Sequence, residues 1–320
     1  MPTTTPPAPW PDDAGRGIAV LGSINRDLLL RVPRLPRDGE TLHALGSAVA
    51  LGGKGANQAV AARLAGAPAD FFGAVGDDAD GQELLAALRA ADVGVRVVVA
   101  RRAQRTGAAV VIVDEAGDNV IIVAGGANGS VDQDYLDRAW PLIRTAASVL
   151  LVQGEIPAEV NRAAIGLAAR DGLRVVVNLA PYQELGPVTG HADPLVVNEV
   201  EAGQLLGTAI SSSAAALDAA RSLARRARSV VITLGAQGAV AAVAGGRAEH
   251  VPAPHVAEVV DTTGAGDAFV GVLSAALLRG HGLFEAAAIG VQAASSAVLQ
   301  HGAAASYPDF SRLFPAREAR

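Results

Sequence analysis

Short apolar runs alternate along this chain with longer stretches in which alanine and leucine recur every three or four positions. The short runs, rich in valine and isoleucine, predict buried strands, and the longer stretches predict helices. Such alternation is typical of an α/β fold with a mostly parallel sheet between two layers of helices. The predicted strands are 17–23, 70–75, 148–153, 173–178, 194–197 and 229–234. The predicted helices are 55–66, 80–91, 157–170, 212–227, 265–279 and 283–299.

Two segments break this succession, because they carry alternating patterns with no helix between them. They cover about 27–50 and 106–124. In the second, the runs Gly107 to Val113 and Asn119 to Val123 flank a turn at Asp114 to Asp118, which predicts a β-hairpin. The sequence therefore predicts two hairpin segments inserted into an α/β domain.

Composition limits the class of protein. With 320 residues and 50% hydrophobic side chains, the chain can bury a large core as one domain, which we place at 17–315. The net charge of −6 argues against nucleic acid as a partner, because binding to the phosphate backbone needs a basic face. The chain has no cysteine, which excludes disulfides, thiolate catalysis and cysteine-ligated zinc.

The N-terminal segment 1–16 is rich in proline and lacks both a basic start and a continuous apolar stretch. It predicts a disordered tail and not a signal peptide. Apolar runs elsewhere, such as Ser148 to Val152, are too short to cross a bilayer. We therefore expect a soluble, cytoplasmic protein with no membrane partner.

The motif Asp261-Thr262-Thr263-Gly264-Ala265-Gly266-Asp267 leads directly into an apolar helical pattern. Small residues at a helix start let backbone N–H groups converge on an anion, and the helix dipole adds positive charge there. Asp267 follows at once and can take a proton from a hydroxyl beside that anion. In the alternative interpretation, the motif is only a turn, and Thr263 or Asp267 caps the helix.

A second glycine-rich motif, Gly52-Gly53-Lys54-Gly55-Ala56-Asn57-Gln58, also precedes a helical run. It is not a Walker A loop, because Gly55 stands where Ser or Thr should follow the lysine, and it lacks the dinucleotide-binding spacing. Bare glycine amides beside Lys54 and Asn57 suit a polyhydroxylated ligand. A tight strand-to-helix turn with a solvated lysine is the alternative.

Together the two motifs resemble the signatures of the ribokinase or PfkB family of carbohydrate kinases, over about 18–308. Within that family, Gly22 to Asp27 and Gly52 to Gln58 are most similar to the ribokinase branch. The resemblance implies a three-layer α/β/α fold with a small β-sheet lid formed by the two hairpin segments. It also implies ATP-dependent phosphorylation of a sugar, and the first candidate is D-ribose, phosphorylated at O5. Fructokinase, deoxyribokinase, nucleoside kinase and pseudouridine kinase remain alternatives, as does a noncatalytic sugar sensor.

The resemblance also implies a sugar site. On a strand, Asn25 and Asp27 face one side and Arg26 the other, which suits capture of neighbouring hydroxyls. Glu155 follows a predicted strand. In the alternative interpretations, Asn25 and Asp27 are solvated residues of a turn after the first strand, and Glu155 is only a carboxylate at a helix start. Arg26 and Gly154 depart from the residues expected in ribokinases at these positions. The implied sugar-binding residues are Asn25, Asp27, Gly53, Lys54, Gly55, Asn57, Glu155 and Asp267.

A nucleotide site and a magnesium site follow from the same resemblance. Asn198 and Glu201 are similar to the family's N-x-x-E motif, with Glu201 expected to act on Mg²⁺ through water. A capping box explains the same two residues. The implied catalytic set is Asp267 as base with Gly264, Ala265 and Gly266 as anion hole. The implied ATP-binding residues are Asn198, Thr233, Gly235, Ala236, Gln237, Gly238, Val240, Gly266 and Val291.

A monovalent cation is the third expected cofactor, with K⁺ as activator beside ATP and Mg²⁺. The resemblance implies that it is held mostly by backbone carbonyls, which leave almost no trace in the sequence. The residues implied are Asp261, Thr263, Ala297, Gln300, Gly302 and Ser306. The resemblance further implies a homodimer that pairs through the β lid.

Overall fold

The computed structural model of this protein describes residues 16–116 and 119–314. Of the predicted disordered tail, only Arg16 lies within these ranges. Gly117 and Asp118 of the predicted turn and Pro315 of the predicted domain lie outside them. The strands are β1 Gly17–Leu21, β2 Asn25–Arg31, β3 Gly46–Gly52, β4 Ala69–Phe72, β5 Ala74–Gly76, β6 Val99–Arg101, β7 Gly107–Val113, β8 Asn119–Ala124, β9 Ala147–Gln153, β10 Arg174–Asn178, β11 Leu195–Asn198, β12 Ser229–Thr233, β13 Ala239–Val243 and β14 Ala248–Val251. The helices are α1 Lys54–Leu64, α2 Ala79–Ala90, α3 Gln133–Ala146, α4 Ala158–Arg170, α5 Glu199–Leu206, α6 Ser213–Leu223, α7 Ala265–Leu278 and α8 Leu283–Ala297.

The central sheet has eight strands in the order β14-β13-β12-β11-β10-β9-β1-β4. Its strands pair in parallel from β4 to β12, and only β13 and β14 add an antiparallel edge. Strand β1 is buried at every position, as expected for a strand covered on both faces. The α/β prediction with a mostly parallel sheet is therefore confirmed.

Two apolar layers flank this sheet, because successive strand residues point to opposite faces. Ile18 and Val20 pack in the layer that contains α1, α7 and α8. Ala19 and Leu21 pack in the other layer, against α3, α4 and α6. Helices α1 and α7 approach so closely that a Cβ on Gly271 would lie 2.5 Å from the Gln58 carbonyl oxygen.

A separate four-stranded sheet has the order β3-β2-β7-β8, and we call it the lid. Strands β2 and β7 are parallel. Strand β2 also pairs antiparallel with β3, and β7 pairs antiparallel with β8. Both hairpin predictions are therefore confirmed. The parallel pair joins segments that lie about eighty residues apart, which hairpin patterns alone do not predict.

Some details of the predicted elements were wrong, and β6, β14 and α5 are among the elements that were not predicted. The strand predicted at 70–75 is split at Gly73, where a Cβ would lie 2.6 Å from the Gly22 carbonyl oxygen, and β5 pairs with β6 in its own small sheet. Helix α3 was missed, because Pro141 interrupts its pattern. Strand β13 was missed because its alanines have low strand propensity. Within the described ranges, no helix is long and apolar enough to span a membrane.

Candidate active site

Helix α7 begins within the Asp261–Asp267 motif without any side-chain cap. Its N-cap is Gly264, whose φ of 77° lies in the left-handed region that favours glycine. A Cβ there would lie 2.6 Å from the Tyr307 hydroxyl, which donates to the Gly264 carbonyl oxygen at 2.6 Å. The alternative in which Thr263 or Asp267 caps this helix is therefore wrong.

Asp267 lies in the first turn of α7 and is 7% exposed. Asn57 Nδ2 donates to its Oδ2 at 3.0 Å, and Gln58 Nε2 donates to its Oδ1 at 2.9 Å. Both amides belong to α1, which packs on α7. The two sequence motifs therefore meet at one carboxylate, although about two hundred residues separate them.

Lys54 begins α1 and is the cation of this cluster. Its pKa is raised, chiefly by the charge of Asp267 and further by Glu155 and Glu201, although burial acts in the opposite direction. Lys54 is therefore positively charged and lies among several carboxylates. The interpretation of Lys54 as a solvated residue of a turn does not fit these surroundings.

Asp27 lies on lid strand β2 beside the same cluster. Burial raises its pKa to about 7, and the charges of Glu155 and Asp267 contribute to the increase. Its buried Oδ1 finds no hydrogen-bond partner among the described residues. A Cβ on Gly52 would lie 2.0 Å from Asp27 Oδ2, so the glycine makes room for this carboxylate. An unpartnered buried oxygen is unusual and fits a hydroxyl donor on a ligand.

Asn25 begins β2 and is oriented by a neighbour, Asn128. Asn128 Nδ2 donates to Asn25 Oδ1 at 2.7 Å, and Asn128 Oδ1 accepts the N–H of Ile24 at 3.0 Å. Since its oxygen is taken, Asn25 has its amide N–H groups left for a ligand. A Cβ on Gly107 would collide with both amides, at 2.3 Å from each.

Glu155 follows β9 and accepts hydrogen bonds from the start of α1. The Ser23 hydroxyl donates to Glu155 Oε2, and the Lys54 backbone N–H donates to the same oxygen at 3.0 Å. The carboxylate thus stands at a helix N-terminus, but at that of α1 and not that of the helix following it in sequence. This contact ties the end of β9 to the Gly52–Gln58 motif.

The structure explains both unusual residues near the sugar-site candidates. A Cβ on Gly154 would lie 1.9 Å from the Pro181 carbonyl oxygen, so a larger residue does not fit before Glu155. Arg26 points to the face of β2 opposite to Asp27, and its Nε lies 3.0 Å from Asp80 Oδ1 on α2. Arg26 therefore links the lid to the main domain and stays away from the carboxylate cluster.

An open pocket of about 620 Å³ lies at the N-terminus of α7. Ala265 and Gly266 form its wall there. The Ala265 N–H donates to the Thr262 carbonyl at 3.2 Å. A Cβ on Gly266 would meet open space. Phe269 and Val259 add apolar walls that the sequence did not indicate. Predicted ATP-binding residues that line the pocket are Asn198, Thr233, Gly235, Ala236, Gly238, Gly266 and Val291.

Two predicted ATP-binding residues lie elsewhere. Val240 is fully buried in β13 and packs with Ile232 and Leu234 in the apolar layer, since strand alternation turns it away from the pocket. Gln237 is exposed, and its carbonyl oxygen lies 2.7 Å from His250 Nε2. The loop after β12 therefore lines the pocket with its small residues, and Val240 has a core role.

Asn198 and Glu201 form a capping box at the start of α5. Asn198 Oδ1 accepts the Glu201 N–H, and Glu201 Oε2 accepts the Asn198 N–H, both at 2.8 Å. Burial raises the pKa of Glu201, although the Asn198 N–H and Lys54 act to lower it. One carboxylate oxygen of Glu201 is thus used by the cap.

The predicted cation residues gather at the loop before α7. Asp261 Oδ1 accepts the Thr263 N–H at 2.8 Å, and its Oδ2 accepts the Gly302 N–H at 2.9 Å. These hydrogen bonds outweigh burial and lower the pKa of Asp261. Ser306 donates to the Gly302 carbonyl at 3.0 Å, whereas Ala297 is buried in α8 and Gln300 is exposed beyond it. In residues 16–116 and 119–314, no group of three His, Asp or Glu side chains could hold a metal ion.

Comparison with known proteins identifies the family. The model of the pfkB family carbohydrate kinases matches residues 16–309. The chain belongs to the pfkB family. It is 38% identical to the ribokinase of Schizosaccharomyces pombe, over 91% of this chain and 94% of that protein. It is 36% identical to the ribokinase of Mus musculus, over 84% of each. The structure of Arabidopsis thaliana ribokinase complexed with ribose and ATP superposes with a TM-score of 0.83 at 30% identity, over 93% of this chain and 97% of that one.

Some residues of this pfkB site were not predicted from the sequence. Asn128, Ser23 and Gln58 contact predicted site residues, although the sequence analysis gave none of these side chains a role. Asn128 follows Gly125-Gly126, directly after a lid strand, and that glycine pair is the signal that could have indicated it. Gln58 lies inside the glycine-rich motif, but nothing in its spacing shows which carboxylate it reaches.

Proposed function

We propose that this protein is an ATP-dependent ribokinase, which transfers the γ-phosphoryl group of MgATP to the 5-hydroxyl of D-ribose. One observation carries the proposal: the buried Asp267 carboxylate lies at the helix start that separates the open pocket from the polar cluster under the lid. The ribokinases of fission yeast and mouse, and the plant ribokinase complexed with ribose and ATP, support ribose as the acceptor.

In this mechanism the sugar hydroxyl lies between Asp267 and the γ-phosphorus. Asp267 accepts the proton as O5 forms its bond to phosphorus, and the bond from phosphorus to the β,γ-bridging oxygen breaks to release ADP. The amides of Gly264 and Gly266 with the α7 dipole stabilise negative charge on the transferring group, whereas the Ala265 N–H is donated to the Thr262 carbonyl. Positioning and charge stabilisation supply most of the acceleration in such reactions.

The polar cluster fits a polyhydroxylated acceptor. Asp27 Oδ1 and Asn57 Oδ1 are buried oxygens with no partner within the described ranges, and both can accept hydrogen bonds from hydroxyls. Lys54 and the Asn25 amide supply donors, and Gly53 and Gly55 let backbone approach the ligand. Glu155 completes the sugar-binding set, and the lid excludes water that would otherwise hydrolyse ATP.

Mg²⁺ and K⁺ complete the proposal. Asn198 lines the pocket and Glu201 is buried beside it, so these side chains suit water-mediated contacts to a magnesium ion that neutralises phosphate charge. Asp261 and the carbonyl oxygens near Gly302 form an oxygen-rich loop directly before the anion hole, as a monovalent cation would require. The carbonyls of Thr263, Ala297, Gln300 and Ser306 belong to the same proposed cation set.

The direct test is ADP release by the purified protein with MgATP and potassium, measured with several acceptors. Ribose should give the highest kcat/KM among ribose, 2-deoxyribose, fructose, adenosine, pseudouridine and a blank without acceptor. A better acceptor from this panel would replace ribose, and no turnover with any of them would contradict the kinase proposal. A large organic cation in place of potassium tests the cation site in the same assay.

We expect binding of the sugar to depend on pH near neutrality. Since the pKa of Asp27 is raised to about 7, its carboxylate becomes ionised as the pH rises through that value. An ionised carboxylate accepts hydroxyl hydrogen bonds more strongly, so KM for ribose should fall about tenfold from about pH 6 to about pH 8. Initial rates at saturating MgATP measure this, and an Asp27→Asn variant should lose the dependence. A pH-independent KM in the parent protein would contradict this role of Asp27.

We also propose that two copies pair through the lid. Ile121 and Val123 on β8 are 56% and 52% exposed, and their register partners Val111 and Ala109 are buried on the lid face that carries Asp27. The apolar edge of that face therefore extends beyond the main domain, and a second lid can cover it.

Substitution on this face should give a monomer. Ile121→Asp places a charge in the proposed interface, whereas Ile122→Asp places the same charge on the opposite lid face at a residue that is 61% exposed. Light scattering after size exclusion should show a dimer for the parent and the Ile122 variant, and a monomer for the Ile121 variant. A monomeric parent protein would contradict the proposal.

A further inference from the structure

Gln58 is a fully buried polar residue whose side chain makes three hydrogen bonds. Its Nε2 donates to Asp267 Oδ1 at 2.9 Å and to Asn178 Oδ1 at 2.8 Å. Its Oε1 accepts from Gln153 Nε2 at 2.9 Å. Asn178 ends β10 and Gln153 ends β9, so two neighbouring strands of the central sheet hold one amide of α1.

This arrangement sets which end of the Gln58 amide faces the carboxylate. Because Gln153 offers an N–H group, the carbonyl end of Gln58 turns toward β9 and its NH₂ end toward Asp267. The NH₂ end of Gln58 is set independently as well, because both of its other partners, Asp267 Oδ1 and Asn178 Oδ1, are acceptors. A buried amide with all these contacts cannot rotate without leaving polar groups unsatisfied.

The two oxygens of Asp267 therefore have different surroundings. Oδ1 faces the sheet and is held by Gln58, which belongs to no part of the proposed sugar or nucleotide sites. Oδ2 faces Asn57, whose own Oδ1 is unpartnered among the described residues and open to a ligand. Lys54 is the cation beside the Asp267 carboxylate. Burial raises the pKa of Asp27 and of Tyr307, and the negative charge of Asp267 raises both further.

We infer that Gln58 is a positioning residue for phosphoryl transfer, which holds Asp267 by Oδ1 so that Oδ2 is the oxygen that takes the proton. The inference rests on the proposed function, because it takes Asp267 as the base. A donor to the ionised carboxylate restrains its rotation, and small errors in the placement of a base reduce turnover strongly. Gln58 acts through Asp267 and touches neither the sugar nor the nucleotide.

The test compares Gln58→Met with the parent protein by kcat and by KM for MgATP. Loss of a hydrogen bond to a charged group should lower kcat on the order of 10-fold to 100-fold. KM for MgATP should change by less than about twofold, because Gln58 lies away from the nucleotide pocket. Ser229→Ala is the control: it also removes a buried polar group, one that donates to Asp193 and to no residue of this network, so it should lower the unfolding temperature while kcat stays near that of the parent.

A double-mutant cycle separates positioning from a merely structural effect. If Gln58 acts through the base, Gln58→Met in an Asp267→Asn background should cost less than about threefold in kcat. A parental kcat for the single variant, or the same loss in both backgrounds, would overturn the inference. If Gln58→Met does not fold, Gln153→Leu tests the inference instead, because it removes the partner that holds the Gln58 carbonyl. A lowered kcat of this variant supports the inference, and an unchanged kcat overturns it. An inactive parent protein would instead overturn the proposed function, and this inference with it.

Discussion

Asp267→Asn should lower kcat with ribose on the order of 10²-fold to 10⁴-fold, the usual contribution of a positioned general base. The amide has nearly the same shape but cannot take the proton from the hydroxyl. It also turns an NH₂ group toward either Asn57 or Gln58, both of which donate to the carboxylate in the parent protein. KM for MgATP should change little, since the pocket walls are intact.

Steady-state ADP release with and without ribose measures this effect. Asp218→Asn is the matched control, because it makes the same chemical change at an exposed residue of α6 whose carboxylate pairs with its neighbour Arg221. The control should keep parental turnover. Full activity of the Asp267 variant would exclude it as the base, whereas a loss confined to KM for ribose would make it a binding residue only.

Asp27→Asn should weaken ribose binding by roughly 10²-fold. Hydrogen bonds to a charged group contribute about 1.5–3 kcal/mol each, and Asp27 can accept one at each oxygen. Its Oδ1 is buried and unpartnered among the described residues, so a ligand hydroxyl is the partner that it lacks. Isothermal titration calorimetry with ribose measures the change directly.

The same variant should be more stable than the parent when no sugar is present. The pKa of Asp27 is raised from 3.8 to about 7, mainly by burial, so across this window the folded state binds more protons than the unfolded state. The free energy of unfolding therefore falls as the pH rises through the window, and the whole penalty is present above it. At pH 8 the Asp27→Asn variant should unfold at a higher temperature than the parent, and near pH 4 the difference should shrink.

Asp80→Asn is the control for both measurements. Asp80 pairs with Arg26, whose side chain leaves the opposite face of the same strand. Ribose affinity should stay near that of the parent, because the substitution leaves the sugar face of β2 unchanged. Equal affinities of the Asp27 variant and the parent would remove Asp27 from the sugar site.

Apart from Asn25 and Asp27, which lie on strand β2, most of the predicted residues of this cluster lie near the starts of helices. Glycines at 53 and 264 adopt positive φ, and each is followed within four residues by a side chain of the cluster, so local sequence carries the signal. Gln58 and Gln153 have no such marker, and Asn128 follows a positive-φ glycine, Gly126, without any local sign that it reaches Asn25. Their contacts depend on how β9, the lid and α1 pack, which is a property of the whole fold. Val240 shows the opposite error. The family resemblance implied that it binds ATP, but its side chain lies in the core because successive residues of a strand point to opposite faces.

Chain order has a consequence for synthesis. The lid strands and α1 all precede residue 125, whereas the nucleotide pocket and Asp267 come from residues beyond 197. A nascent chain can therefore form the lid and α1, which carry most of the proposed sugar-binding residues, long before it has anything with which to bind ATP or remove a proton. Because α7 must then dock on α1 across about two hundred residues, this late, non-local contact should also limit the rate of folding. A ribosome that stalls before residue 260 would release a fragment unable to consume ATP.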